Sequence, residues 1–164
     1  MNKDEQIKNT LKEFRLPTYE EIPDVGLYLD QVTKYINSYL ENFSDMKVTP
    51  SMISNYVKLK LISKATKKTY SREQVAGFIF IVFSKTVLSM NHIQHLLELQ
   101  KDKYEISVAY NYFRNELLNA LNSFYETRNK EMNRNSTEEK RMLHTVVVTI
   151  AHKMYLECYF EDID

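Results

Sequence analysis

The sequence predicts an all-α, mainly helical protein, and three observations predict it. The 164 residues hold only two glycines and three prolines, so tight turns are few. Leu, Lys, Glu, Asn and Met, mostly good helix formers, are abundant. Apolar residues recur at three- and four-residue steps, the period of a helix with one buried face. At 43% hydrophobic residues the chain can bury a core of one or two domains. The shortage of glycine argues against parallel α/β folds and phosphate-cradling loops.

Residues 1–15 are polar and charged, a loose arm or a short helix. LPTYEEIPDVG, punctuated by Pro17, Pro23 and Gly26, reads as an irregular but ordered lead-in. Across residues 27–43, Leu29, Val32, Tyr35, Ile36, Tyr39 and Leu40 fall on one helical face. Thr49-Pro50 is a helix start: Thr can cap free N–H groups, and Pro suits the first helical position because its missing donor is not needed there. The short helix 50–59 turns Met52, Ile53, Tyr56 and Leu59 one way, and Ser51, Ser54, Asn55 and Lys58 the other. Residues 60–70 are a basic loop. Ser71 with Gln74 forms a capping-box pattern, opening a helix to about residue 86. Its VAGFIFIVF segment is apolar on every side and belongs at the core centre. Ser89 starts a helix that turns Ile93, Leu96, Leu97 and Leu99 inward. Two longer helices follow, 105–132 and 137–160, with a turn at 133–136 and a second capping box at Ser136 and Glu139. The β-branched run 145–150 keeps helical spacing and helix-forming flanks, so it is read as helix. The expected organisation is one domain over residues 16–100 and a C-terminal two-helix hairpin within 101–164.

No stretch approaches the ~18 consecutive apolar residues of a membrane span, and the charged N-terminus lacks a signal-peptide core. A single cysteine, Cys158, leaves no intrachain disulfide. A soluble, cytoplasmic protein is expected, with no cofactor and no metal. His92 and His95 lie one turn apart, and His144 and His152 eight residues apart, without the carboxylates that would complete a metal site. Cys158 reads as a packed thiol. Glu20-Glu21 and Glu138-Glu139 are helix-start or loop acids. There is no paired-carboxylate motif and no nucleophile elbow, so no enzyme is expected.

The net charge is zero but unevenly placed. Residues 1–46 carry −4, residues 73–164 carry −3, and residues 47–72 carry +7 with no acidic residue. Such a block is the footprint of a surface that meets an anion. It coincides with an ordered unit: helix, turn, short helix, basic loop, buried helix. A helix-turn-helix reads base edges with its second helix, and a following loop lies along the phosphate backbone. Small polar side chains outward on 50–59 suit the groove. Lysines in 60–70 suit phosphates.

The segments VTPSMISNYVKLKLIS, KKTYSREQVAGFIFI and VLSMNHIQHLLE resemble the DNA-binding half of MerR-type regulators. The matching positions are Thr49, Pro50, Ile53, Tyr56, Leu61, Ile62, Tyr70, Ser71, Val75, Leu88, Ser89 and Ile93. More narrowly, LPTYEEIPDVGLYLDQVTKYIN joined to TPSMISNYVKLKLI and YSREQVA is similar to the bacterial family DUF1836, over roughly residues 14–100. The resemblance implies a MerR-type winged helix-turn-helix and a transcription regulator. Ser54 and Asn55 stand where MerR proteins carry an Arg and an aromatic residue. Lys60 stands where they carry a Gly, and the wing lacks the usual arginine. A positive φ at Lys60 would cost about 1 kcal/mol.

The DNA-contacting set expected is Ser51, Ser54, Asn55, Tyr56, Lys58, Lys60, Lys64, Lys67, Lys68, Tyr70 and Arg72. Asn55 and Ser54 are the base-edge candidates. Lys58, Lys64, Lys67 and Lys68 are phosphate contacts. Tyr56 and Tyr70 have two open roles, contacting phosphate or packing helix and wing against the core. Residues 104–160 hold nine aromatics, read as a core that continues into a dimer seam, with a small-molecule pocket as the second reading. The expected function is sequence-specific binding of double-stranded DNA by a homodimeric regulator, with an unidentified effector allowed for. The alternatives are a winged-helix adaptor whose Lys-rich face docks an acidic protein, and a ligand-sequestering helical protein.

Overall fold

The structure, a computed structural model, describes residues 2–132 and 135–160, without the side chains of Val146, Tyr155, Glu157 and Cys158. The expectation for the Cys158 thiol therefore lies outside the described residues. The fold is all-α. The elements are α1 (Lys3–Glu13), a 3₁₀ turn (Tyr19–Glu21), α2 (Leu29–Ser38), a second 3₁₀ turn (Ser44–Met46), α3 (Pro50–Lys58), α4 (Arg72–Ser84), α5 (Met90–Lys101), α6 (Ile106–Glu131) and α7 (Glu138–Phe160). No described helix is long and apolar enough to cross a membrane.

The chain divides into two compact units, Phe14–Leu117 and a second made of Met1–Glu13 with Leu118–Asp164. In the first, α4 is the core helix. Val75, Ala76, Gly77, Phe78, Ile79, Ile81 and Val82 are all buried, as its all-round apolar sequence requires. Around it Val32 and Ile36 of α2, Ile53 and Tyr56 of α3, and Ile93 of α5 are buried. The expected caps form: Thr49 Oγ1 accepts from Met52 N (3.2 Å), and Ser71 and Gln74 cap each other reciprocally.

The lead-in is ordered by polar contacts as well as by Ile22, which is fully buried. Tyr110 Oη donates to the Pro17 carbonyl (2.8 Å), and Arg114 Nε donates to the Leu16 carbonyl (2.8 Å). Helix α2 stops earlier than its apolar pattern, its end tightening into three-residue bonds from Tyr39 N to the Ile36 carbonyl (3.2 Å) and from Leu40 N to the Asn37 carbonyl (3.0 Å), and the Asn37 side chain turns to the chain ahead. Its Nδ2 donates to the Val48 carbonyl and its Oδ1 accepts from Val48 N, both at 2.8 Å. Met52 and Leu59, expected inside with Ile53 and Tyr56, are exposed.

In the second unit, α1 anchors on the C-terminal half of α6. Tyr125 Oη donates to the Asp4 carbonyl (3.0 Å), and Arg128 pairs with the Asp4 carboxylate (3.4 Å). Residues 145–150 are helical within α7. The α7 cap is not the expected Ser136–Glu139 box: Thr137 Oγ1 accepts from Lys140 N (3.3 Å), while the Ser136 carbonyl accepts from Arg141 (2.8 Å). Leu143, Val147, Ile150 and Met154 share one face of α7 and are all more than half exposed.

Candidate nucleic-acid interface

Helix α3 has one buried face and one open face. Ile53 and Tyr56 point into the core. Ser51, Asn55 and Lys58, spaced four and three residues apart, are exposed together, and Ser54 beside them is half-buried. The Tyr56 hydroxyl accepts from Lys85 Nζ (2.9 Å), and the same ammonium lies 5.7 Å from the ring centroid. Tyr56 is thus held from behind by a residue of the distant α4 terminus. Lys85 was not among the sequence candidates, and no local pattern announces it.

Beyond α3 the backbone turns sharply. Lys60 has φ 60°, the left-handed conformation expected if it replaces a glycine. The turn drives Ile62 against α4 at Gly77, where a Cβ would come within 2.5 Å of Ile62 Cδ1. A side chain at position 77 would have to push the Ile62 methyl aside. The Gln74 amide completes the attachment, donating to the carbonyls of Ser63 (2.9 Å) and Lys64 (3.1 Å).

Residues 66–69 form a two-residue hairpin. Thr66 and Thr69 exchange both backbone hydrogen bonds at 3.0 Å, and the central Lys67 and Lys68 have φ 50° and 66°. Two positive φ angles define a type I′ turn, whose twist suits a tight hairpin but which favours Asn and Gly. Lysines at both positions carry strain, of order 1 kcal/mol or more each. The hairpin base is fixed by a second exchange, Leu27 with Tyr70 (2.9 and 2.8 Å). Gly26, at φ +74°, makes room there, since a Cβ would meet Thr69 Oγ1 at 2.8 Å.

The expected contact set thus divides. Ser51, Asn55, Lys58, Lys60, Lys64, Lys67 and Lys68 are exposed. Tyr70 is buried, its ring edge-on to Phe78 at 5.1 Å. Arg72 is turned inward: Nε donates to the Ile22 carbonyl (2.7 Å) and an η nitrogen to the Glu20 carbonyl (3.1 Å). Its guanidinium also stacks 5.6 Å from the Tyr19 centroid. Burial pushes the Tyr19 hydroxyl above its ordinary pKa, Glu73 adds to the shift and Arg72 opposes it. Tyr56, Tyr70 and Arg72 therefore brace the surface from inside. Among the described residues, no group of three or more His, Cys, Asp or Glu could hold a metal ion.

The family model described as Domain of unknown function (DUF1836) matches residues 17–113. The chain belongs to the DUF1836 family. The matched DUF1836 segment covers nearly all of the unit Phe14–Leu117, including α3, the type I′ hairpin and the first turns of α6. No curated protein and no solved structure matches the chain.

Proposed function

We propose that this DUF1836 protein is a sequence-specific DNA-binding transcription regulator, with a MerR-like winged helix-turn-helix in residues 16–100 and a homodimeric state set by its C-terminal helices. The observation that carries the reading is the pair of lysines forced into a type I′ turn. Asn-Gly would fold there without strain, so the positions are occupied at a cost to stability, and strained residues of this kind concentrate at functional sites. Together α2 and α3, joined by the Asn37–Val48 clamp, supply the helix pair, and the 66–69 hairpin supplies the wing.

The roles follow from chemistry. Asn55, mid-helix and exposed, carries an amide able to pair bidentately with adenine N6 and N7. Ser51 and Ser54 flank it with hydroxyls that pair less selectively. Lys58, Lys64, Lys67 and Lys68 would neutralise phosphates, each adding about 0.9 to the log–log salt slope. The dimer reading rests on α7, where residues 142–152 contain no Asp, Glu, Lys or Arg and the apolar face is exposed. A second copy would cover that face, and a two-fold protein suits paired half-sites.

The test is selection from a randomised duplex library, followed by titrations at two salt concentrations. Enrichment of a palindromic site whose affinity falls steeply with salt is expected. If no sequence is enriched and duplex affinity is negligible even at low salt, the regulator reading fails. The lysines would then be assigned to an acidic protein partner.

A further inference from the structure

The unit Phe14–Leu117 contains a cavity of about 670 Å³, lined by α4, α5, the 102–105 turn and the start of α6. Ala76, Phe80, Leu97 and Phe113 contribute to an apolar lining. The volume falls within the range of small-molecule sites, which combine apolar walls with a few polar groups. Here the polar groups are Gln100, Lys103 and the tyrosines Tyr104, Tyr110 and Tyr112, the Tyr110 hydroxyl being bound by the Pro17 carbonyl. Lys103 is the one charged residue in the lining, no carboxylate shares it, and Lys103 has no ion-pair partner among the described residues. Tyr104, Val108 and Tyr112, all lining residues, are each more than half exposed. Large apolar groups left open around a cavity signal surface intended for a partner.

We propose that this cavity binds a small organic carboxylate with an apolar body. The apolar walls receive the hydrocarbon. Lys103 supplies the counter-charge for the carboxylate, with the hydroxyls of Tyr104 and Tyr112 as further donors. A cationic ligand would meet only the positive lysine, and a neutral one would leave that charge unused. None of the exposed α3 or hairpin residues lines the cavity, although Gly77, the seat of Ile62, does.

Calorimetric titration of the 164-residue chain with decanoate tests the assignment, with decanol as the uncharged control of equal length. Decanoate is expected to bind roughly tenfold more tightly than decanol, the scale of one charge-assisted hydrogen bond. Lys103→Gln, an exposed position, is expected to remove that preference. Val108→Glu, also exposed, is expected to weaken decanoate while sparing decanol. The proposal is overturned if decanoate gives no binding heat, if decanol binds equally well, or if Lys103→Gln leaves the preference intact. Self-association that Val108→Glu abolishes, with no heat from decanoate, would assign the cavity to a second copy of the chain instead.

Discussion

Lys60, Lys67 and Lys68 hold φ angles of 60°, 50° and 66°, and at each the side chain opposes the backbone. Replacing Lys67-Lys68 by Asn-Gly relieves the turn. We expect an unfolding free energy higher by about 1–2 kcal/mol. The same variant should lose DNA affinity, with a salt slope lower by about 1.8 if both lysines meet phosphate. A more stable protein that binds DNA unchanged would remove the lysine tip from the interface. Tyr110 is a different case. Burial pushes its pKa well above tyrosine's ordinary 10.0, with Arg114 pulling the other way. A folded pKa above the unfolded value adds stability that is complete below about pH 10 and declines as pH rises toward the folded value. Tyr110→Phe should therefore flatten the alkaline decline in melting temperature. At neutral pH it should cost about 1–2 kcal/mol, because the Pro17 carbonyl loses its donor.

Between residue and domain stands the placement of α3, which depends on both of its ends. Thr49 caps the first turn, and Thr49→Ala should cost about 1 kcal/mol in chemical denaturation. At the other end the seat is Ile62 on Gly77, where a Cβ would overlap Ile62 Cδ1 at 2.5 Å. Gly77→Ala gains helix propensity but must displace Ile62, so a net loss of about 1–2 kcal/mol is expected. That loss should come with weaker DNA binding, since Ile62 follows directly on the α3 turn. A stabilised Gly77→Ala protein would show that Ile62 gives way easily and that this seat does not set the helix position.

For the whole molecule, the open question of assembly centres on α7. Its Leu143, Val147, Ile150 and Met154 repeat at four, three and four residues, the spacing of a helix-pairing seam. With a second copy on this face, Val147→Glu combined with Ile150→Glu should convert the protein to a monomer in sedimentation equilibrium. Each chain would retain its helical circular dichroism. A wild-type mass of one chain at all accessible concentrations would remove the seam.

Much of this was legible in the sequence because it is local. Helix period, the Thr49 and Ser71 caps and the acid-free block of residues 47–72 are properties of neighbours in the chain, and α3, α4, α5, α6 and α7 lie within a few residues of their expected places. Membership of DUF1836 was legible in the same ordered motifs. The misjudged details were also informative: α2 ends early, and near its end Asn37 clamps Val48 eleven residues on, a contact that periodicity cannot register. Tertiary structure alone decided which members of the basic block face outward. Arg72 looks like the lysines by charge, yet carbonyls 50 and 52 residues away hold it inward. Tyr56 is pinned by Lys85 in the same long-range way. The sequence determined the helices and the charge because these depend on near neighbours. The folded chain determined the surface, because exposure depends on which distant residues pack against each side chain.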